Sequence, residues 1–381
     1  MSGPVTAGKQ RREGLVLGSV RGTPVILAYS WFLIAGLTAW YFGGLLKASY
    51  PAPAAYLVAF AYALLLLFSV FIHELSHAMA AKMYGWPTHK IVLNLWGGHT
   101  EFDFSKATPG RALVVAFAGP AANFVLAALA WPVQIAASHP ESLSGSILFL
   151  LANIFIWANL LIGLFNVLPG LPLDGGRLVE SIVWKATGNQ EKGTVAAGWA
   201  GRVIVVLMVA GALVLPYMMG SQPDLTNTFI VVLLAGFLWM GASASIKAAA
   251  IRLRLPAITA SALAAPAVSA AVDCSVAQLW TLRSRYPGAP IVLCSADGRP
   301  AAVVDEHALA QVPPQAAGQT PAHAVARSIT SGAFVPETAS GAELVQYLSQ
   351  LPDTEYAVID ARGSVTGLLS QAKVVAAITG K

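Results

Sequence analysis

His73-Glu74-Leu75-Ser76-His77 sits in a run that is apolar from Leu64 to Ile72, Ser69 apart, and again from Ala78 to Ala81. On a helix, residues i and i+4 share one face, so the two imidazoles point the same way with a carboxylate beside them. This is the pattern of a zinc site that carries its own general base. A chance match to it in a chain of this composition has a probability of about 0.006. Two membrane histidines could instead join helices by hydrogen bonds, but that reading leaves the charge of Glu74 unpaired. Polar groups in such a place are expensive and mark function.

Outward from this segment the chain reads as membrane protein. Its 381 residues are 56% hydrophobic and 11% charged, with mean hydropathy +0.65, whereas soluble domains are about 25% charged. Six apolar segments are long enough to span: 23–46, 54–83, 110–137, 146–168, 201–219 and 228–250. The fold class expected is a polytopic α-helical membrane protein with a C-terminal α/β module. Its parts are a cytoplasmic segment 1–22, a transmembrane domain 23–250 and a tandem module 256–381, divided at about 256–312 and 325–381. The first span has no small-residue cleavage site and is read as retained. The net charge of +5 is spread over loops without a basic stripe, which excludes nucleic acid as a partner. The two cysteines, Cys274 and Cys294, make no disulfide framework and suit a reducing compartment.

Loop charges set the orientation. Lys9, Arg11, Arg12 and Arg21 precede the first span. Lys90, Lys106 and Arg111 follow the second, Arg177, Lys185 and Lys192 follow the fourth, and Lys247, Arg252 and Arg254 follow the sixth. The remaining loops hold only Lys47. The expectation is a multi-pass plasma-membrane protein with both termini cytoplasmic and the HExxH near the cytoplasmic side.

Zinc needs a third protein ligand. Asp174 is the best candidate, at the end of Asn166-Val-Leu-Pro-Gly-Leu-Pro-Leu-Asp174-Gly-Gly where the fourth span stops. It is expected in a loop, with Gly175 and Gly176 allowing a tight turn. His89 and His99 are weaker candidates. The segment 85–104 alternates at Ile91, Leu93 and Leu95 before Trp96-Gly97-Gly98. It reads as a short hairpin, either against the site at membrane depth or at the interface. In the tail, Ala277, Leu279, Pro287 and Gly298 recur 65 residues later as Ala342, Leu344, Pro352 and Gly363. Each copy is expected to hold helix, strand, turn, strand and short helix (276–284 and 342–351 for the first helices).

Taken together these motifs resemble the site-2 protease family, in its six-span subgroup with a C-terminal pair of cystathionine-β-synthase (CBS) motifs. HELSH, Gly97-Gly98, Ala118-Gly119-Pro120-Ala-Ala-Asn123 and Asn166…Asp174-Gly-Gly carry the likeness. The resemblance implies an intramembrane zinc endopeptidase of regulated intramembrane proteolysis, cutting a transmembrane segment of a tethered protein such as an anti-sigma factor. It implies one Zn2+ per chain on His73, His77 and Asp174, with Glu74 as acid/base. Asn166, Asn123, Gly97 and Gly98 would support substrate or oxyanion, with Gly98 at an edge where substrate pairs. Lipid is the implied surroundings, and a homodimer through the CBS pair an implied assembly. The pair departs from nucleotide-binding copies: Asp305 and Ala308, then Ser370 and Lys373, stand where a hydroxyl and a ribose-binding Asp are usual. That weighs against an adenine nucleotide. The alternatives are a CBS-gated transporter or channel and an inactive membrane scaffold.

Overall fold

The computed structural model describes residues 14–103, 106–139, 142–330, 332–350 and 353–380. Lys9, Arg11, Arg12, Phe104, Leu351 and Pro352, used above, lie outside the described residues. The chain divides between Ala249 and Ala250 into two compact units.

The first unit opens with two strands, β1 (Gly14–Val20) and β2 (Thr23–Ala28), paired antiparallel around Arg21-Gly22. Both turn residues have positive φ, which costs nothing at Gly22, where there is no Cβ, while Arg21 adopts the left-handed region despite its side chain. The first span was expected from Thr23. It begins at Tyr29 instead, because residues 23–28 are spent in β2. The helices then run α1 (Tyr29–Leu46), α2 (Ala52–Met83), α3 (Pro109–Ala136), α4 (Leu143–Val167), α5 (Asp174–Thr187), α6 (Gln190–Met218) and α7 (Leu225–Arg254). Among the described residues six helices, all of these but α5, are long and apolar enough to cross a membrane.

Between α2 and α3 lie β3 (Thr88–Asn94) and β4 (Gly97–Phe102), an antiparallel hairpin. Its turn is closed by Gly97 at φ 116° and by Asn94 Oδ1, which accepts from the Trp96 amide at 2.9 Å. β2 pairs parallel with β3, so one sheet runs β1-β2-β3-β4 and β4 is its edge. Val25 and Leu27 of β2 and Ile91 and Leu93 of β3 bury one face of the sheet against Trp31, Ala35, Ala63 and Ala78. That cluster fixes the hairpin to the helix that carries the HExxH. α2 is 32 residues long, about 48 Å at 1.5 Å per residue. It exceeds the roughly 30 Å bilayer core, so its C-terminal part projects toward one surface.

The second unit holds two copies of one plan. The first runs α8 (Ala260–Leu263), β5 (Ala265–Pro266), β6 (Val268–Ala271), α9 (Val276–Arg285), β7 (Ile291–Cys294), β8 (Pro300–Val304) and α10 (Glu306–Ala310). The second runs β9 (Ala326–Ser328), β10 (Phe334–Pro336), α11 (Gly341–Gln350), β11 (Glu355–Ile359), β12 (Val365–Ser370) and α12 (Gln371–Thr379). The offset of 65 residues superposes α9 on α11, and Gly298 and Gly363 close the matching turns at φ 80° and 81°. Each copy has two strands more than expected, and the copies exchange one. β5 joins β10-β11-β12, while β9 joins β6-β7-β8. Val292, Val303, Ala357 and Leu368 form an apolar seam between the sheets.

Candidate metal centre

His73 and His77 face α3 and α5 from one side of α2. His73 Nε2, His77 Nε2 and Asp174 Oδ2 form a triangle with sides of 3.0, 3.2 and 3.2 Å. A tetrahedral zinc with bonds of 2.0–2.1 Å separates its ligands by about 3.3 Å. Among the described residues this is the trio of His, Cys, Asp or Glu donors that could hold a metal ion. Asp174 is not in a loop: it is the first residue of α5. Gly175 and Gly176 are helical rather than turning. A Cβ on either would meet the backbone of Val167 and Leu168, or of Gly170 and Leu171. Their service is close approach, which brings the carboxylate to the imidazoles. Leu171-Pro172, just before it, is a cis peptide. Gly119 of α3 is required for the same reason, since a Cβ there would sit 2.7 Å from the His73 ring and closer still to His77 Nε2.

Hydrogen bonds fix which ring nitrogens face the triangle. His77 Nδ1 donates to the Val115 carbonyl at 2.7 Å, so its Nε2 carries the lone pair. His73 Nδ1 meets Asn123 Oδ1 at 2.6 Å. The amide of Asn123 is itself oriented. Its Nδ2 donates to Asn159 Oδ1 at 2.8 Å. Asn159 Nδ2 in turn donates to the Phe155 carbonyl at 2.9 Å and to Ser69 Oγ at 3.0 Å. A backbone carbonyl can only accept, so the chain Phe155–Asn159–Asn123 sets the proton of His73 on Nδ1. Two lone pairs and a carboxylate oxygen then converge within 3.2 Å. They repel one another until a cation lies among them. The donor set therefore fits a metal.

Asn123 was expected beside the substrate. It is buried, lines neither neighbouring cavity, and orients His73 instead. Ser69 and Asn159 were not foreseen. Their signal was present, as polar side chains inside otherwise apolar spans. Glu74 is also buried, and Thr100 on β4 donates to its Oε2 at 2.8 Å. Gly98 allows that approach: a Cβ there would stand 2.7 Å from Glu74 Cγ. His99 pairs loosely with Glu101 and His89 is exposed, so neither joins the trio.

Two cavities meet at the centre. The smaller, about 170 Å3, is lined by Glu74, His77, Asp174, Arg177 and Glu180. Glu180 is a buried acid that accepts from Gln190 Nε2 at 2.9 Å. The larger, about 680 Å3, is mostly apolar and takes in His73, Gly97, Gly98 and Asn166. Trp96 and Phe237, both in its lining, stack with ring centroids 4.9 Å apart. Glu74 and Asp174 line both cavities.

Residues 61–140 and 128–210 match the model of Peptidase family M50. A Synechocystis protein, sll0528, named among zinc metalloproteases, is 30% identical over 378 residues, 97% of this chain and 96% of that one. The chain belongs to peptidase family M50. Among solved structures, the site-2 protease from Methanocaldococcus jannaschii is 25% identical. It covers 61% of this chain and 94% of its own, with TM-score 0.43. The CBS domain of a bacterial CNNM/CorC family Mg2+ transporter is 18% identical, over 40% of this chain and 94% of that one, with TM-score 0.28.

The second unit of this M50 peptidase has a cleft of about 520 Å3, lined by Arg283, Asp305, Glu306, Arg327 and Glu355. Its charges are already paired. Arg283 meets Glu306, and Arg327 meets Glu355 at 2.6 Å. Asp305 caps α10 by accepting from the amides of His307 and Ala308 at 2.9 and 3.2 Å. The Ala308 and His307 amides hold its carboxyl below the ordinary range.

Proposed function

We propose that this M50 peptidase is a zinc-dependent intramembrane endopeptidase that cuts a transmembrane segment of a membrane-tethered protein. An anti-sigma factor is the kind of substrate the family resemblance suggests. The observation that carries the reading is the convergence of the His73, His77 and Asp174 donor atoms inside the membrane unit. These three residues would hold one zinc ion per chain. Bound zinc supplies Lewis acidity, which polarises a carbonyl and acidifies water. Glu74 accepts the proton of the attacking water and delivers it to the leaving amine. Thr100 holds that carboxylate in place.

A helical substrate shields its carbonyls, so it must open before attack. The apolar cavity offers room for side chains, and the free edge of β4 offers backbone partners to an extended strand. Gly97 and Gly98 keep that edge bare, and Asn166 supplies a polar contact for the peptide. Trp96 and Phe237 lie across the approach. Water comes through the smaller polar cavity. Both termini lie in the cytoplasm and the plasma membrane is the location, which the loop charges support. The C-terminal pair is read as a CBS module that dimerises or gates rather than binds an adenine nucleotide, because its cleft is neutralised by its own side chains. A transporter or an inactive scaffold leaves the three-donor cluster and Glu74 without a task.

The test is metal content with cleavage of a co-reconstituted membrane substrate. Wild type should carry about one zinc per chain, and Asp174→Ala should lose both zinc and cleavage while keeping its fold. Full metal content and activity in that variant would remove the reading.

A further inference from the structure

Arg202 is a charged residue in a helix otherwise suited to the bilayer. From Val203 to Met218, α6 carries no charge, nor does α7 from Leu225 to Ile246. Those stretches of 16 and 22 residues span about 24 and 33 Å, close to the bilayer core. Arg202 and Lys247 therefore stand at one membrane–water boundary, on adjacent helices.

Two indoles enclose the Arg202 guanidinium, Trp199 at 4.7 Å and Trp239 at 5.0 Å. Its Nη2 donates to Ser243 Oγ at 3.0 Å. Stacking uses the faces of the guanidinium and leaves its N–H groups available. Ser243 accepts one of five. Nε is buried and has no acceptor, and among the described residues no carboxylate forms an ion pair with Arg202 or Lys247. Trp239, Ser243 and Lys247 follow one another at i, i+4 and i+8 on α7, and Lys247 is exposed. Around them Val203, Val206, Leu207 and Met240 present more than half their surface, as side chains facing acyl chains do.

We infer that Arg202, Ser243 and Lys247 form a binding site for the phosphate of an anionic phospholipid, with Trp199 and Trp239 as its walls. An Arg that merely reached for the interface would need no fixed cage. Here two indoles and a hydroxyl hold a fork of donors ready for oxyanions. The ligand is a lipid rather than free phosphate because the site's outer rim is apolar and continuous with the lipid-facing surface.

Full-length protein in neutral detergent is titrated with phosphatidylglycerol, phosphatidylcholine and inorganic phosphate, and retained lipid is counted by native mass spectrometry. Wild type is expected to retain phosphatidylglycerol in preference to phosphatidylcholine. A juxtamembrane cation contributes about fivefold in affinity. Arg202→Gln is therefore expected to lower phosphatidylglycerol retention about five- to tenfold, Lys247→Gln about fivefold, and Arg202→Lys less than Arg202→Gln. Lys47→Gln, in the loop between α1 and α2, should change nothing. Lys247 is exposed, so its variant keeps the fold even if Arg202→Gln does not. The assignment falls if phosphatidylglycerol and phosphatidylcholine are retained equally by wild type or if Lys247→Gln retains wild-type amounts. It falls equally if millimolar inorganic phosphate displaces the lipid completely.

Discussion

Asn159→Leu tests whether the centre is tuned from a distance. Asn159 touches no cavity and no metal-facing atom, and it is fully buried on α4. Leucine keeps its branching and heavy-atom count, though it is bulkier, and removes its amide. Asn123 Nδ2 then loses its acceptor at 2.8 Å, and an unsatisfied buried donor costs about 1–3 kcal/mol. Asn123 can recover part of that by turning its amide over, which presents Nδ2 to His73. The ring must then accept at Nδ1 and carry its proton on Nε2, where a metal would bind. Loss of an outer partner of a metal-binding histidine usually costs about 10–100-fold in metal affinity. We expect a fall of that size, measured by competition with a zinc chelator of known strength. Cleavage should be restored by excess zinc, because no group that touches substrate has changed. Affinity within twofold of wild type would refute the relay. So would lost activity that excess zinc fails to restore.

Glu74→Gln should retain zinc and lose on the order of 10²–10⁴ in rate, while His73→Ala should lose zinc as well; metal analysis and cleavage on the same preparations separate the two. Gly119→Ala places a methyl group against both buried imidazoles, and we expect zinc content to fall together with some loss of thermal stability from overpacking. Reporter fusions after Lys47 and near His139 and Gln222 should report the outside, and a fusion after Arg254 the inside; an outside C-terminus would reverse the orientation. ATP or AMP titrated calorimetrically into the full chain should show no binding in the micromolar range, because Asp305 already holds the amides at the start of α10.

The histidines were legible because period and chemistry coincide in five residues, and Asp174 because its setting is apolar. The first strands were not. Residues 23–46 form one continuous apolar run, and over a short stretch such a run does not distinguish strand from helix. Only Pro24 and the preceding Arg21-Gly22 hinted at a break. α5 was hidden by Asp174-Gly175-Gly176, which reads as a turn. Glycine serves equally where two backbones touch, and only the packing of α5 on residues 167–171 decides between the uses. The Ser69–Asn159–Asn123 relay crosses three helices, so no local spacing announces it. In the tail the 65-residue offset fixed the paired helices and strands, but the exchange of β5 and β9 depends on partners far apart in sequence.

The hydroxyl of Thr100 ties two events together. It belongs to the same strand whose open edge would receive the substrate, and it also donates to the carboxylate proposed to move the proton. On the proposed reading, a peptide laid along β4 would tighten the support of Glu74, while one that stayed coiled would leave that support slack. Selection would then act on how readily a stretch of chain lets go of its own helix, before any side chain is read. Candidate substrates are best ranked by the cost of unwinding them, and a single glycine or proline placed near the cut should matter more than the identity of the residues on either side.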